Sequence, residues 1–345
     1  MEDKQKILTV AIPCYNSASY MEKCIKSLLP GGEDIEILLV DDGSQKDNTL
    51  EIARRYEAEY PGVARAIHQE NKGHGGAVNT GLSEAEGLYF KVVDSDDWVE
   101  EWALITIIRR LKLLEERETP VDMFLANFIY DREGVFHKNV MQFRHAFPQN
   151  RIISWDDMGH MRQTQYILMH NIIYRTDVLR KCGMKLPEHT FYVDNIFAFQ
   201  PLPHCEKFYY MDVNLYHYTI GRDDQSVNEK VMLGRIDQQI RVNRIMIDLF
   251  ASQNWSGLDK NVRKYMFIYL NKIMTVTSVM LLVGGTAEDY EKKGELWSYA
   301  KRRDYKLYYR LRMSLLGVLT NLPTNLGKKT TVRGYKLIRH IIHFN

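Results

Sequence analysis

The sequence predicts an α/β fold, a mostly parallel sheet flanked by helices, followed by a C-terminal α-helical region. Three observations carry that prediction. Short apolar runs alternate with amphipathic helical stretches along the N-terminal part of the chain. Polar clusters follow three of those runs, at 13–17, 41–44 and 94–97. From residue 228 onward, Met, Ile and Leu recur instead at three- and four-residue spacing over long segments. Alternating strand and helix makes a parallel sheet with helices on its faces. Ligands of such sheets bind at the carboxyl ends of the strands. Three clusters on one edge are harder to explain as solvation than any one of them.

The elements follow in order. Residues 7–12 (ILTVAI) read as a strand stopped by Pro13, and 18–29 as a helix with Tyr20, Met21, Cys24, Ile25 and Leu28 on one face. Residues 35–40 (IEILLV) are a second buried strand ending in Asp41-Asp42-Gly43-Ser44. A helix over 48–60 and a strand over 63–68 come next, then the glycine-rich turn 71–79, NKGHGGAVN, leading into a helix through about residue 86. Residues 89–93 form the strand that ends in Asp94, Ser95, Asp96 and Asp97. Helix 101–118, strand 121–130, strand 169–174 and helix 177–182 continue the pattern. Helices are expected at 230–252, 260–283 and 287–303, which divides the chain into domains 1–227 and 228–345.

Composition is that of an ordinary globular protein, with 45% hydrophobic and 26% charged residues. The N-terminal apolar run is too short for a signal peptide, so a cytoplasmic location is expected. Cys14, Cys24, Cys182 and Cys205 have no metal-finger spacing and read as free thiols. No stretch reaches the roughly 18 consecutive apolar residues of a spanning helix. The net charge of +2 hides an asymmetry: residues 301–345 hold 11 Lys/Arg and one acid, Asp304. That tail mixes Tyr, Leu and Ile with the cations, broken at Pro323 and Gly327, which suits an interfacial membrane helix or a basic helix on an acidic partner.

Three carboxylates within four residues repel one another, and packing alone gives no reason to gather them. A divalent cation, Mg²⁺ or Mn²⁺, would relieve that repulsion; a solvated acidic turn capping the next helix is the plainer reading. Asp194 sits inside an aromatic and apolar run, FYVDNIF, as a helix cap or as a carboxylate with a job. Pro13 to Tyr15 offers an aromatic face for a flat ring, and Asp42 an acceptor for a nucleobase N–H. Gly73, Gly75 and Gly76 would allow close backbone approach to a ligand. Together these describe a nucleotide-diphosphate pocket with a metal. The GxxxxGK[ST] and GxGxxG patterns are both missing.

The ordered motifs IPCYN, LLVDDGS, NKGHGGAVNTG, VVDSDDW and FYVDNIF resemble those of family 2 glycosyltransferases of the GT-A fold, over about residues 7–227. The resemblance implies an inverting transferase that takes a sugar from a UDP-sugar with Mn²⁺ or Mg²⁺. It implies that Pro13, Tyr15, Asn16, Asp42, Gly73, Asn79, Asp94 and Ser95 hold the nucleotide-sugar, that Asp96 binds the metal, and that Asp194 is the catalytic base. His217, Arg222, Gln225 and Ser226 resemble the loop that closes over the diphosphate, with His217 a further metal ligand or a packed aromatic and Arg222 a phosphate clamp. Two departures stand out: Val78 replaces an Arg common in the third motif, and Val193 replaces the acid common before the base. The implied acceptor is a glycan or lipid-linked hydroxyl, of a surface polysaccharide, a teichoic-acid-like polymer or a glycolipid. Partners are therefore donor and acceptor, an inner membrane face through the basic tail and a second copy through the C-terminal helices, with no nucleic acid. A nucleotidyltransferase would carry a Gly-rich Arg/Lys motif after the first strand, which IPCYN lacks. A non-catalytic scaffold would have no reason to keep Asp42, Asp94, Asp96 and Asp194.

Overall fold

A computed structural model of the chain describes residues 5–132, 139–162, 165–221 and 228–342. Contacts divide it into two compact units, Met1–Ile220 and Gly221–Asn345. In the first unit, β1 (Leu8–Cys14), α1 (Met21–Leu28), β2 (Ile35–Asp41), α2 (Thr49–Glu59), β3 (Ala64–His68), α3 (Gly73–Glu84) and β4 (Tyr89–Val92) alternate as expected. There follow β5 (Trp98–Val99), α4 (Glu101–Glu116), β6 (Met123–Arg132), β7 (Asn139–Met141), β8 (Ile152–Ile153), β9 (Ile172–Arg175), α5 (Thr176–Lys181), α6 (Asp194–Phe199) and β10 (Phe208–Ile220).

One sheet runs in the order β3-β2-β1-β4-β9-β6-β10-β5, with β7 on β6 and β8 on β10. Its first four strands are parallel. Beyond β4 it is mixed: β9 lies antiparallel between β4 and β6, β10 is parallel to β6, and β5 is antiparallel to β10. Every residue of β1 and β2 is buried, as helices on both faces require of a central parallel strand.

Two differences from the sequence expectation bear on the site. Pro13 does not end β1, which continues through Cys14 with Pro13 opposite Val40. Pairing with β4 ends at Ala11, so the missing N–H of Pro13 costs no ladder bond on that side. The glycine-rich turn is itself helical, because α3 begins at Gly73.

The second unit is all helical: α7 (Glu229–Gly234), α8 (Ile236–Ser252), α9 (Lys260–Gly284), α10 (Ala287–Arg303), α11 (Tyr305–Met313), α12 (Leu315–Thr320) and α13 (Asn325–Ile342). By length and composition α9 could cross a membrane, yet 61% of its most apolar window is buried. Its polar groups are matched by its neighbours: Asn243 of α8 donates to Thr277 at 2.7 Å, and Trp297 of α10 donates to Ser278 at 3.0 Å. It is the core helix of this unit. Asp304 and Ser314 stand in extended backbone and cap α11 and α12 by accepting from Leu307 and Gly317, which breaks the tail into short helices. Gly327 does not interrupt the tail; it lies inside α13, where a Cβ would meet that of Leu322 at 2.5 Å.

Candidate active site

β4 ends at the acidic run, and the chain there alternates: Asp94 and Asp96 are half-buried, Ser95 and Asp97 buried. Tyr216 of β10 secures both ends of the run. Its hydroxyl accepts from the Asp94 N–H at 3.2 Å and donates to Asp97 at 2.5 Å. The Thr219 N–H adds a bond to the other Asp97 oxygen at 2.7 Å. Burial, then the charges of Asp96 and Asp94, push the Asp97 carboxyl well above its ordinary range. Asp97 therefore fastens the run to β10, while Asp94 and Asp96 keep partial exposure.

His74, in the first turn of α3, reaches across to Asp94, Nε2 to Oδ1, at 2.7 Å. Both side chains keep some exposure, 31% and 25%. Burial pulls the imidazole down, but the carboxylates of Asp94, Asp194 and Asp96 outweigh it and hold His74 above its usual value. Burial likewise opposes the Asp94 carboxylate, and the charge and hydrogen bond of His74 keep it low all the same. Asp194 opens α6 as its first residue, with Val193 in the cap position, so it is not a helix cap. Burial raises its carboxyl to about 6, the charge of His74 working against that and the charge of Asp94 with it. Tyr192, two residues before, has φ +66, a left-handed backbone that is costly for an aromatic residue. His74 is thus bonded to Asp94 and near enough for its charge to act on Asp194. Sequence reasoning quoted its motif and assigned it no role.

A second residue was also missed. Lys91, inside β4, is 1% exposed, and its ammonium donates to the carbonyls of His170 at 2.8 Å and Ile172 at 3.3 Å. Burial lowers its pKa to about 7, against the pull of Asp94 and Asp97. The signal was present, since a lysine in an otherwise apolar strand needs partners. Lys91 fixes the turn that carries His170, whose buried imidazole is pushed down to about 4 and so is neutral.

These residues suit a divalent cation. Among the described residues, ligand atoms of Asp94, Asp97 and His170 lie within 4.8 Å of one another. The Nδ1 of His170 is buried without a hydrogen-bond partner, and a neutral imidazole is a competent ligand. His217 is not in this cluster and packs as an aromatic, the alternative open to it from the sequence. The β10–β5 register sets His217 opposite Trp98, and the two rings stack at 3.6 Å. The His217 ring nitrogens approach Asp131 at 3.3 Å and Glu100 at 3.6 Å.

The expected nucleotide residues divide into two sets. Tyr15 is 51% exposed at the end of β1 and offers its ring to solvent. An open cavity of about 440 Å³ lies at the ends of β2 and β3, lined by Ser44, His68, Gln69 and Asn71 among others. The remaining residues are engaged within the protein. Asn16, at φ +49, accepts from Gln45 and Lys46 and ties the ends of β1 and β2 together. Asp42 is 3% exposed and accepts from Gln69 at 2.6 Å and from the Lys72 and Gly73 N–H groups at 2.8 Å, so it holds the loop into α3. The Asn79 amide both donates to and accepts from Leu186 at 2.8 Å.

Three placements differ from those read in the sequence. Pro13 is buried in the strand rather than set in a loop. The amide of Asn79 pairs with Leu186 instead of being open to a ligand. The glycines make room for the protein's own chain: a Cβ at Gly73 would meet the His189 backbone at 3.0 Å, and one at Gly75 the Pro187 carbonyl at 2.6 Å. Arg222, Gln225 and Ser226 lie outside the described residues.

The model of the glycosyl transferase family 2 matches residues 9–182. Glycosyltransferase GlyG of Streptococcus pneumoniae is 37% identical over 136 residues, 38% of this chain and 43% of that protein. The uncharacterized glycosyltransferase EpsJ of Bacillus subtilis is 29% identical over 222 residues, 61% of this chain and 60% of the relative. The chain thus spans about half the length of these relatives. Among solved structures, S. aureus TarS 1-349 superposes over 96% of this chain and 91% of that one with a TM-score of 0.69 at 19% identity, and its complex with UDP-GlcNAc with 0.67 at 17%. At such identity the likeness establishes the GT-A type of fold. With its family model covering half its length, the chain belongs to glycosyl transferase family 2.

Proposed function

We propose that the chain transfers a sugar from a UDP-sugar to an acceptor hydroxyl with inversion, using Asp194 as base. Its catalytic domain would span 1–227 and its helical domain 228–345. The observation that carries the proposal is the arrangement of Asp94, His74 and Asp194 at the end of β4. His74 is hydrogen-bonded to the first of these carboxyls and its charge acts on the second, one held low and the other raised to about 6. Groups held apart in this way are suited to different tasks. A carboxylate near pKa 6 is a better proton acceptor at neutral pH than an ordinary aspartate. It takes the proton of the acceptor hydroxyl as that oxygen attacks the anomeric carbon. The bond to the diphosphate breaks on the opposite side, and UDP leaves. One attack from one side turns an α-linked donor into a β-linked product.

Tyr15 and the cavity at the ends of β2 and β3 would receive the uracil, on a floor kept rigid by Asp42 and Asn16. Ser95 and Gly73 would border the sugar-diphosphate. When bound, Mn²⁺ or Mg²⁺ neutralises charge on the departing diphosphate. Asp94 would hold it, with half-buried Asp96 on the open side or His170 on the buried side. Asp97 is the weaker ligand, since both its oxygens already accept hydrogen bonds. The acceptor would be a glycan or lipid-linked hydroxyl of a surface polymer.

The test is metal-dependent UDP release across a panel of UDP-sugars, in wild type, Asp194→Asn and Asp96→Ala. Turnover of one donor, abolished in Asp194→Asn while UDP binding persists, supports the reading. Unchanged turnover in Asp194→Asn would remove Asp194 as the base. No turnover and no binding of any UDP-sugar would overturn the donor class.

A further inference from the structure

Large apolar side chains stand exposed along α11 and α12. On α11, Tyr305, Tyr309 and Met313 are 61%, 54% and 59% exposed. Their four-residue spacing makes one stripe on the helix surface. Lys306 and Arg310, also exposed, form the stripe beside it. After the cap at Ser314, α12 exposes Leu315, Val318 and Leu319 at 71%, 38% and 44%. Leu307, Leu311, Gly317 and Thr320 are buried, so these helices already have an inward face and the exposed residues form a second one. Apolar side chains gathered in this way mark an interaction surface.

The exposed charges beside this face are mostly cationic, with Arg303 paired to Asp248 at 2.7 Å. Lys301, Arg302 and Arg303 at the end of α10 are exposed, as are Lys306 and Arg310. Asp304, the only acid in 301–345, is occupied in capping α11 at 2.9 Å from the Leu307 N–H.

We propose that α11 and α12 dock this unit on the surface of an anionic lipid bilayer. The tyrosine rings would lie at headgroup level, Leu315, Leu319 and Met313 beyond it, and the cations on lipid phosphates. A second copy fits less well, because a two-fold contact sets the same patch against itself and brings like charges together. A nucleic acid backbone would neutralise the cations but leave the aliphatic side chains in water.

The full chain is tested by co-sedimentation with vesicles of phosphatidylcholine alone and of phosphatidylcholine with phosphatidylglycerol, without donor, so the result is independent of the transfer chemistry. Binding is expected only to the anionic vesicles. Removing a cation by Arg302→Gln or Lys306→Gln is expected to weaken binding about five-fold each. Leu315→Ser and Leu319→Ser are expected to weaken it about tenfold or more each. Both leucines are exposed, and an unchanged circular dichroism spectrum separates lost docking from lost folding. Equal binding to both vesicle types overturns the proposal, as does binding unaffected by the leucine substitutions. A concentration-dependent dimer lost in Leu315→Ser with no vesicle binding assigns the face to a second copy and overturns it too. Binding to an oligonucleotide in place of vesicles does the same.

Discussion

At the scale of single residues, the site is a set of carboxyls whose protonation is set by their neighbours. Asp194, raised to about 6, holds its proton on the acid side of that value and loses it above. A base must be unprotonated, so turnover should be flat at neutral pH and fall as the pH drops through about 6. The charge of a bound cation on Asp94 would move that limb lower. A pH–rate profile measures it, and a profile flat to well below pH 5 (roughly a unit under that value) would remove Asp194 as the titrating base. Loss of a positioned base costs about 10²–10⁴ in rate, and Asp194→Asn is expected in that range with UDP binding retained. The two candidate metal ligands separate by titration with Mn²⁺. Asp96→Ala is expected to raise the Mn²⁺ concentration needed for half-maximal turnover, and His170→Ala to leave it unchanged. The reverse result moves the ion to the buried side. Lys91→Met would strip hydrogen bonds from two buried carbonyls. A loss of about 1–3 kcal/mol in denaturant unfolding is expected, and an unchanged midpoint would contradict the packing described.

At the scale of elements, the glycine-rich start of α3 and the loop over 186–189 are one assembly. Gly73 and Gly75 let that loop lie on the helix, and Asn79 fastens it at Leu186. Gly75→Ala would drive a methyl to 2.6 Å from the Pro187 carbonyl. Strain of that kind typically costs about 1–3 kcal/mol. Because the displaced loop leads to Asp194, turnover should fall further than UDP binding does. A calorimetric UDP titration beside the rate assay tests this, and equal loss in both would place the glycine at the nucleotide instead. The five motifs were legible because each is continuous in the chain, and three of them, IPCYN, LLVDDGS and VVDSDDW, end strands, where the alternation of pattern already set the edge. His74 was not. Its meaning depends on Asp94 in the next strand and Asp194 far along the chain, and no local pattern pairs them.

At the scale of the whole molecule, the helical unit owes its core to α9. Leu270, fully buried there, is expected to cost about 2–5 kcal/mol on replacement by Ala. Denaturant unfolding in detergent-free buffer checks it, and a negligible change would contradict the burial of this helix. The alternation of short apolar runs with helical stretches, then helical spacing alone, was enough to expect an α/β region followed by helices. The mixed direction of the sheet beyond β4 was not readable, because strand direction depends on which strands pair. The sequence by itself determined which residues end the strands, and hence where the acids, the aromatic ring and the glycines gather. It did so because side-chain periodicity is a local property. Tertiary structure alone decided what those residues face. It gave Asp42, Asn79 and the glycines to the protein's own loops, His217 to Trp98, and His74 to Asp94. Hydrogen bonds and burial, unlike periodicity, are made between segments distant in the chain.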